Sequence, residues 1–293
     1  MSFNLKRLFR RMIFGVLVLV FLLLLGIELF DRYLSSEKGT LWLYQPTATP
    51  AFEIKYSSSG IRYLSIGAAE KPALVLVHGA PGSCMDWKDF SQYADLYERY
   101  RLLIVERPGY GGTRPRGAEK SIETQAKRLL EVLEPETQPV TLMGHSYGGP
   151  IVMVMAALQP EKIGRVIGVA GAYAADYEVT FKISYFIQFG IFQYLLPRLF
   201  WVANEEKLSH PQALRAIEAY YAKISVPVSI IHSTGDALVP YDNACFIIER
   251  LRISPQVVTL DGLAHPIQMN QPGLLVDFVM DREIGPITES PCK

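Results

Sequence analysis

The chain has 293 residues, of which 49% are hydrophobic, and its 29 basic and 29 acidic side chains give a formal net charge of zero. This length is sufficient for a core that folds without disulfides or metals, and the composition is not that of a disordered or acidic-tail protein. A neutral chain has no general attraction to nucleic acid, so we expect no nucleic-acid partner.

The N-terminus combines a basic segment with an apolar one. Four basic side chains come first: Lys6, Arg7, Arg10 and Arg11. An uncharged run over 12–27 follows, and with the two apolar residues after Glu28 it makes a helix of about 27 Å, close to the thickness of a hydrocarbon core. By the positive-inside rule we predict a cytoplasmic basic tail at 1–12 and a single-pass transmembrane signal anchor at 13–30. The rest of the chain would then lie on the non-cytoplasmic side, which is the periplasm in a bacterium.

Two other interpretations of this segment remain open. A cleaved signal peptide has the same basic start, although Leu34-Ser35-Ser36 is a poor cleavage site. The third interpretation is a buried helix of a soluble protein. Residues 31–50 are predicted to form a linker, because turn-forming residues collect at their C-terminal end. These residues are Pro46, Thr47, Thr49 and Pro50.

The cysteines give a weak signal. Cys84, Cys245 and Cys292 have no metal-ligand spacing, and an odd number cannot all pair within one chain. Free cysteine is commonly a small buried residue, so we expect thiols at all three positions. The alternative is a bridge from Cys84 or Cys245 to Cys292.

Strand and helix patterns alternate beyond residue 50. Phe52–Tyr56 and Ile61–Ile66, on either side of a Ser-Ser-Ser-Gly turn, predict a β-hairpin. Six further strands are predicted: Ala73–Val77, Leu102–Val105, Val140–Met143, Arg165–Val169, Val228–His232 and Gln256–Leu260. Helices are predicted between them: Trp87–Glu98, Ile122–Leu133, Gly148–Leu158, Asn243–Leu251 and Pro266–Met280. The pattern predicts an α/β fold with a mostly parallel sheet flanked by helices.

One long segment interrupts this alternation. About 50 residues separate Val169 from the strand near Val228, where a few would suffice. Apolar side chains recur in this segment at spacings of three and four, which predicts amphipathic helix. The recurring residues are Phe181, Tyr185, Phe189, Phe192, Leu196 and Phe200. We predict a helical lid at about 172–222 within a domain at 51–285, followed by a C-terminal tail at 286–293.

A nucleophile motif lies at the end of the strand Val140–Met143. The sequence Gly144-His145-Ser146-Tyr147-Gly148 has the G-x-S-x-G pattern and leads into a predicted helix. In this strand–turn–helix context the serine hydroxyl is exposed at a sharp turn that leaves no room for side chains at the glycines. Ser146 is therefore the candidate nucleophile.

With this motif the chain resembles the α/β-hydrolase superfamily over residues 52–285. His78-Gly79-Ala80-Pro81-Gly82 is similar to the H-G-x-P-G loop of the lid-bearing branch of that superfamily. Residues 106–111, Glu-Arg-Pro-Gly-Tyr-Gly, are similar to its D-R-P-G-[YF]-G turn, with Glu in place of Asp. The resemblance implies an α/β-hydrolase fold. A serine nucleophile argues against the dehalogenase and epoxide-hydrolase chemistries, which use a carboxylate.

The resemblance also assigns the partners of Ser146. His265, in the loop after the last strand, occupies the superfamily's position for the catalytic base. Asp236 follows the penultimate strand, in the chain order serine, acid, histidine that the superfamily uses. The oxyanion hole is assigned to the backbone N–H groups of Tyr147 and Ala80, because Pro81 has none to donate.

The remaining polar candidates receive other roles. His78 is expected to brace its loop and His232 to pack in the sheet, while His145 occupies a variable position of the elbow. His210 is expected to open a lid segment before Pro211, and Asp242 to cap a helix. No metal-ligand cluster, phosphate loop or dinucleotide fingerprint occurs, so we expect no metal and no cofactor.

These features predict a membrane-anchored serine hydrolase that transfers an acyl group to water. A small-molecule or lipid ester is the favoured substrate, with Phe181, Tyr185 and Phe189 as candidate substrate-binding residues of the lid. An aminopeptidase or amidase with the same triad is the first alternative, in which Glu205 and Glu206 would bind a free amine. The second is a non-catalytic binding protein on the same scaffold. The sequence does not predict the oligomeric state.

Overall fold

In the computed structural model, which describes residues 5–44, 50–113, 117–284 and 288–292, the chain folds around one eight-stranded sheet. Its strands are β1 (Phe52–Tyr56), β2 (Arg62–Ile66), β3 (Ala73–Val77), β4 (Arg101–Val105), β5 (Val140–His145), β6 (Ile163–Val169), β7 (Val228–Ser233) and β8 (Gln256–Leu260). They lie in the order β1-β2-β4-β3-β5-β6-β7-β8. Strand β2 runs antiparallel to both of its neighbours, β1 and β4, and β3 to β8 are parallel to one another. The predicted mostly parallel sheet is confirmed.

Helices cover both faces of the sheet. The α-helices are α1 (Leu5–Leu34), α2 (Glu37–Tyr44), α3 (Leu96–Arg99), α4 (Ile122–Leu130), α5 (Gly148–Leu158), α6 (Lys182–Ile187), α7 (Phe192–Leu195), α8 (Arg198–Tyr221), α9 (Asp242–Arg250), α10 (Ile267–Asn270) and α11 (Pro272–Val279). Alternate residues of β3 supply two separate cores. Val75 packs with residues of α4 and α5 on one face, and Leu76 packs with residues of α11 on the other. This arrangement explains why the central strands are apolar on both sides.

Two predicted helices are interrupted in the structure. Over 87–98 the chain forms short 3₁₀ turns and the four-residue α3, because its Asp and Ser side chains favour caps and turns over a helix interior. The predicted Pro266–Met280 helix is divided into α10 and α11 at Gln271. Pro272 lacks an N–H and disfavours helical geometry at the residue before it.

The insertion between β6 and β7 is helical, as predicted, but its apolar stripe does not form one helix. The short α6 and α7 are separated by a turn that contains Gly190, and Pro197 precedes the 24-residue α8. His210 and Pro211 lie inside α8, so the expectation that His210 opens a segment is wrong. The apolar packing of buried Val202, Leu214 and other residues of α8 holds the helix together across the proline.

The N-terminal helix is long and lies outside the core. Its segment Lys6–Leu34 has a mean hydropathy of 2.9 in its most apolar window, none of which is buried, and it is long and apolar enough to cross a membrane. A signal sequence has the same properties. Residues 1–4 of the predicted basic tail lie outside the described residues.

The predicted linker at 31–50 is mostly helical where the structure describes it. Helix α1 continues to Leu34, and α2 packs on the domain with Thr40 and Tyr44 buried. The Tyr44 hydroxyl donates to the carbonyl of Cys84 at 2.8 Å. The segment therefore packs on the domain through polar contacts as well as burial, and its sequence pattern did not indicate these contacts. Residues 45–49, with three of the four predicted turn formers, lie outside the described residues.

The cysteine prediction is wrong at two positions. Cys245 in α9 and Cys292 form a disulfide, as in the alternative interpretation, while Cys84 is a free and buried thiol. The fold explains why Cys245 and Cys292 pair, because the C-terminal tail lies against β8, the edge strand of the sheet. Thr288 forms a β-bridge with Thr259 of β8, and this contact carries Cys292 to α9. Residues 286, 287 and 293 of the predicted tail lie outside the described residues.

Candidate active site

Ser146 lies at a strained turn between β5 and α5. Its φ of 52° is in the left-handed region, which is uncommon for a residue other than glycine. The turn is tight, because a Cβ added at Gly144 would lie 2.3 Å from the carbonyl oxygen of Gly148. The Ser146 N–H donates to Val169 of β6 at 3.0 Å, so the neighbouring strand fixes the turn. The elbow therefore has the geometry that its sequence predicted.

The structure brings the three predicted triad residues together. The Ser146 Oγ lies 2.9 Å from Nε2 of His265, and Nδ1 of the same ring lies 2.6 Å from Oδ2 of Asp236. Asp236 follows β7 and His265 follows β8, so both side chains come from loops at the carboxyl end of the sheet, where Ser146 also lies. This arrangement can carry a proton from the serine to the imidazole.

Asp236 is held in its ionised form. Burial opposes the charge, but the hydrogen bond and charge of His265 outweigh it, and the pKa of Asp236 lies below its usual value. The backbone N–H groups of Leu238 and Val239 each donate to Oδ1 at 2.9 Å. Oδ2 is left as the acceptor for His265. Asp242, which we expected to cap a helix, is instead the first residue of α9, and Tyr241 occupies the N-cap position, so that expectation is wrong.

The two predicted oxyanion-hole residues border the same cavity as the triad. Ala80 and Tyr147 line a pocket of about 420 Å³ together with Ser146 and His265. The Ala80–Pro81 peptide bond is cis. The rest of the wall is mostly apolar and includes lid residues Phe181, Ile187, Leu196 and Phe200, and Leu238 and Val239 of the Asp236 loop.

Only one of the three predicted lid residues lines this pocket. Phe181 does, whereas Tyr185 and Phe189 are 55% and 59% exposed and are not among the described residues that line it. On α6 the pocket-facing positions are Ser184 and Ile187, so Tyr185 points away. The prediction for Tyr185 and Phe189 is wrong because the short helices place these side chains on the outer surface of the lid.

The other histidines are structural neighbours of the triad. His145 lies beside His265, with ring centroids 4.8 Å apart, and burial followed by the charge of His265 lowers the pKa of His145 to about 3. His232 is buried in β7, as predicted, 3.8 Å from Asp236. Nε2 of His78 accepts from the backbone N–H of Arg107 at 3.0 Å, which fits its predicted bracing role. Burial also lowers the pKa values of His232 and His78, so the neutral form of these rings is favoured.

Sequence reasoning missed a buried ion pair behind the oxyanion loop. Glu206 of α8 binds Arg107 through both carboxylate oxygens, at 2.8 and 3.0 Å, and both side chains are fully buried. Tyr110 and Gln125 also donate to Glu206. The motif at 106–111 marked Arg107, but no sequence signal pointed to its partner. Glu206 was instead a candidate for amine binding, and the structure excludes it from the pocket.

A second polar cluster does reach the pocket. Glu178 accepts from Lys207 at 2.5 Å and lies 2.9 Å from Nδ1 of His210. Burial raises the pKa of Glu178, but these two neighbours outweigh burial and lower it overall. The His210 ring stacks on Tyr147 with centroids 4.2 Å apart. Glu205, the other proposed amine ligand, pairs instead with Lys120.

The described residues contain no group of three or more His, Cys, Asp or Glu side chains placed to hold a metal ion. Besides the triad, the backbone donors and the Glu178 cluster, the polar residues Ser184 and Asn204 line the pocket. The chemistry that this arrangement supports is nucleophilic attack by a serine hydroxyl.

A parallel sheet with a serine elbow and a serine–histidine–aspartate constellation at its carboxyl edge defines an α/β hydrolase. The model of the alpha/beta hydrolase family matches residues 74–278, which is more than two thirds of the chain, and the protein belongs to that family. This confirms the resemblance drawn from the motifs.

Comparisons with individual proteins agree with this assignment. An uncharacterized protein of Mycobacterium bovis is 28% identical over 155 residues, which are 52% of this chain and 44% of the relative. The chain therefore spans less than half the length of that relative. Among solved structures, a membrane phospholipase A superposes with a TM-score of 0.63 at 19% identity, covering 93% of this chain and 97% of that one. Naproxen esterase from Bacillus subtilis gives 0.62 at 18% identity, covering 85% and 96%. These likenesses show the fold.

Proposed function

We propose that the protein is a membrane-anchored serine hydrolase that transfers the acyl group of a hydrophobic ester to water. The observation that carries this proposal is the hydrogen-bonded chain from Ser146 through His265 to Asp236 at the base of an apolar pocket. Solved structures that share the fold include a phospholipase and an esterase, which is consistent with this chemistry.

The mechanism follows from the geometry of the triad. Ser146 Oγ attacks the ester carbonyl while Nε2 of His265 takes its proton. Nδ1–H donates to Asp236, which fixes the tautomer and stabilises the imidazolium. The N–H groups of Ala80 and Tyr147 would donate to the oxyanion, and losing one such donor typically costs about 3 kcal/mol of transition-state stabilisation. His265 then returns the proton to the leaving alcohol, and water attacks the acyl-enzyme by the reverse route.

The pocket favours an ester over an aminoacyl amide. The free amine of an aminoacyl substrate needs an acidic partner, but Glu206 is ion-paired with Arg107 and Glu205 is ion-paired with Lys120. Glu178, which does line the pocket, is already bonded to Lys207 and His210. The apolar wall formed by Phe181, Ile187 and other lid residues suits an acyl chain.

The proposed location is the non-cytoplasmic side of a membrane crossed by α1. The basic residues that precede the apolar run favour a cytoplasmic N-terminus. The disulfide between Cys245 and Cys292 supports the same side, because disulfides persist in oxidising compartments.

Labelling with a fluorophosphonate probe tests the nucleophile. We expect the folded protein to be labelled at Ser146, and Ser146→Ala to lose labelling and at least about 10⁴-fold in turnover. Ser184→Ala, a change at another pocket serine, is the matched control and should still label. An unlabelled Ser146 in folded protein would sink the enzyme assignment.

A substrate series then separates the two hydrolase classes. Rates on p-nitrophenyl esters of increasing chain length should exceed those on aminoacyl amides. Preference for the amides would replace the ester proposal with the peptidase alternative.

A further inference from the structure

The outer surface of the lid is unusually apolar. Eight side chains from α6 to α7, here named the lid patch, are 45–81% exposed: Phe181, Ile183, Tyr185, Phe186, Phe189, Ile191, Tyr194 and Leu195. No charged residue occurs from 183 to 197. The rings cluster, since the centroid of Phe186 lies 4.9 Å from that of Phe192 and 6.3 Å from that of Phe189. The surface of a soluble protein rarely carries such a contiguous apolar patch, so the lid patch indicates a surface that binds a partner.

The lid patch leads directly into a contact with the apolar N-terminal helix. The backbone N–H of Arg198, the first residue of α8, donates to Oε2 of Glu28 in α1 at 2.7 Å. The Arg198 guanidinium lies 3.6 Å from Asp31 on the same helix. These contacts fix the junction of α7 and α8 beside the end of the apolar run of α1.

The contacting face of α1 extends into the apolar run itself. Leu24, Ile27, Glu28 and Asp31 are partly buried and share one helical face, whereas Leu23 and Leu25 are exposed. Leu24 is one turn, about 6 Å, beyond Glu28 toward the middle of the apolar run. When α1 crosses a bilayer, the lid beside it is therefore held at the depth where the hydrocarbon begins.

The lid patch and the pocket are two sides of the same segment. Phe181 belongs to both, and Ile187 and Leu196 line the pocket from positions adjacent to patch residues. An apolar molecule could pass from the outer face of the lid to Ser146 along a largely apolar surface.

From this juxtaposition we infer that the lid patch inserts into the same bilayer that α1 crosses, and that the pocket receives its ester from that leaflet. The occupant of the patch is thus a lipid surface. Aromatic side chains such as Tyr194 are suited to the interface between hydrocarbon and water. The docking of the patch depends only on α1 being a membrane helix, whereas the source of the ester rests on the proposed function.

The docking is tested with the full chain reconstituted in phosphatidylcholine vesicles. A nitrobenzoxadiazole fluorophore is attached to a cysteine at the patch, in Tyr194→Cys, and to a matched exposed site, in Glu70→Cys. Glu70 precedes β3 and so lies at the sheet edge opposite Ser146. Lipids with a doxyl quencher on the upper acyl chain should quench the Tyr194 fluorophore and leave the Glu70 fluorophore unchanged. Equal, weak quenching at both sites would overturn the docking.

The proposal that the ester comes from the bilayer is tested by introducing negative charges into the lid patch. The double variant Ile191→Asp/Tyr194→Asp should retain the wild-type rate on a short, soluble p-nitrophenyl ester, because neither residue lines the pocket. Its rate on a long-chain ester embedded in the vesicles should fall roughly tenfold, because a carboxylate is costly in hydrocarbon. The matched control is Tyr56→Asp, at another exposed tyrosine on β1, which should reduce neither rate.

The outcomes separate the parts of the inference. A vesicle rate in Ile191→Asp/Tyr194→Asp equal to that of the wild type would overturn delivery from the bilayer. A wild-type protein that hydrolyses no ester would sink the proposed function, whereas quenching at Tyr194 alone would still support the docking. Circular dichroism of each variant distinguishes these results from unfolding.

Discussion

Arg107 connects the lid to the residues that surround the nucleophile. Its guanidinium donates to the backbone carbonyls of His78 and Gly79 at 3.0 and 2.8 Å, and lies 4.5 Å from the ring centre of Tyr147. The Arg107 guanidinium therefore contacts both the loop that leads to Ala80 and Tyr147, the residue after Ser146. Glu206 on α8 is the anion that compensates it.

The first prediction concerns that anion. Glu206→Gln keeps the shape but leaves the Arg107 charge uncompensated in a buried site, so we expect a loss of about 3 to 5 kcal/mol in the free energy of unfolding. The value of kcat on a soluble ester should fall more than KM changes, because the oxyanion loop loses its fixed support. Urea unfolding and steady-state kinetics measure the two effects.

The adjacent residue provides the control. Glu205→Gln makes the same chemical change at a pair with Lys120, whose side chain is 53% exposed. Such a pair contributes less than about 1 kcal/mol. Equal stability of Glu206→Gln and Glu205→Gln would contradict the role given to the buried pair.

At the scale of elements, helix α2 behaves as part of the domain. The Thr40 hydroxyl in α2 accepts from Nη2 of Arg62 in β2 at 2.6 Å, and both side chains are fully buried. Arg62 in turn pairs with Glu106 at 2.9 Å, and the same carboxylate accepts from the Gly112 N–H at 2.7 Å. The Glu that replaces the family's Asp at position 106 thus belongs to a network that reaches α2.

The second prediction tests this network at α2. Thr40→Val removes the acceptor of a buried guanidinium N–H and should lower the free energy of unfolding by about 1 to 3 kcal/mol. Thr40→Ser keeps the hydroxyl and should lie closer to the wild type. Denaturation of the detergent-solubilised chain measures the difference. Equal stability of Thr40→Val and Thr40→Ser would show that the hydrogen bond from Arg62 to Thr40 does not stabilise the domain.

The sequence predicted best where one local pattern determines the structure. The strand–glycine–serine–glycine–helix pattern located Ser146, and apolar runs located the eight strands. Phe189 was misplaced because periodicity does not show that α6 ends at Ile187, which leaves Phe189 in the turn before α7. Thr40, Glu206 and Cys292 were missed or misread for a different reason. Their roles come from partners 22, 99 and 47 residues away in sequence, which no local pattern reveals.

For the whole molecule, the disulfide joins the chain terminus to the body of the domain. The bond between Cys245 and Cys292 closes a loop with a sequence separation of 47 residues. In the chain-entropy model such a loop stabilises the folded state by up to about 4 kcal/mol.

The third prediction is that Cys292→Ser lowers the free energy of unfolding by up to about that amount. Dithiothreitol should lower the stability of the wild type toward that of Cys292→Ser and leave the variant unchanged. Alkylation of the unfolded wild type without reductant should modify Cys84 alone, which mass spectrometry would report as a single adduct. Three adducts would show that the protein carries no disulfide.

The returning tail also has a consequence for association between molecules. β8 is the last strand of the sheet, and an edge strand exposes unpaired backbone groups that can bind the strand of another chain. The bridge between Thr288 and Thr259, together with the hydrogen bond between Tyr241 and Ser290, covers part of that edge. At the opposite edge, β1 carries the charged pair Glu53 and Lys55, which disfavours pairing with the strand of another chain. At high local concentration the chain would thus have both edges of its sheet protected against aggregation.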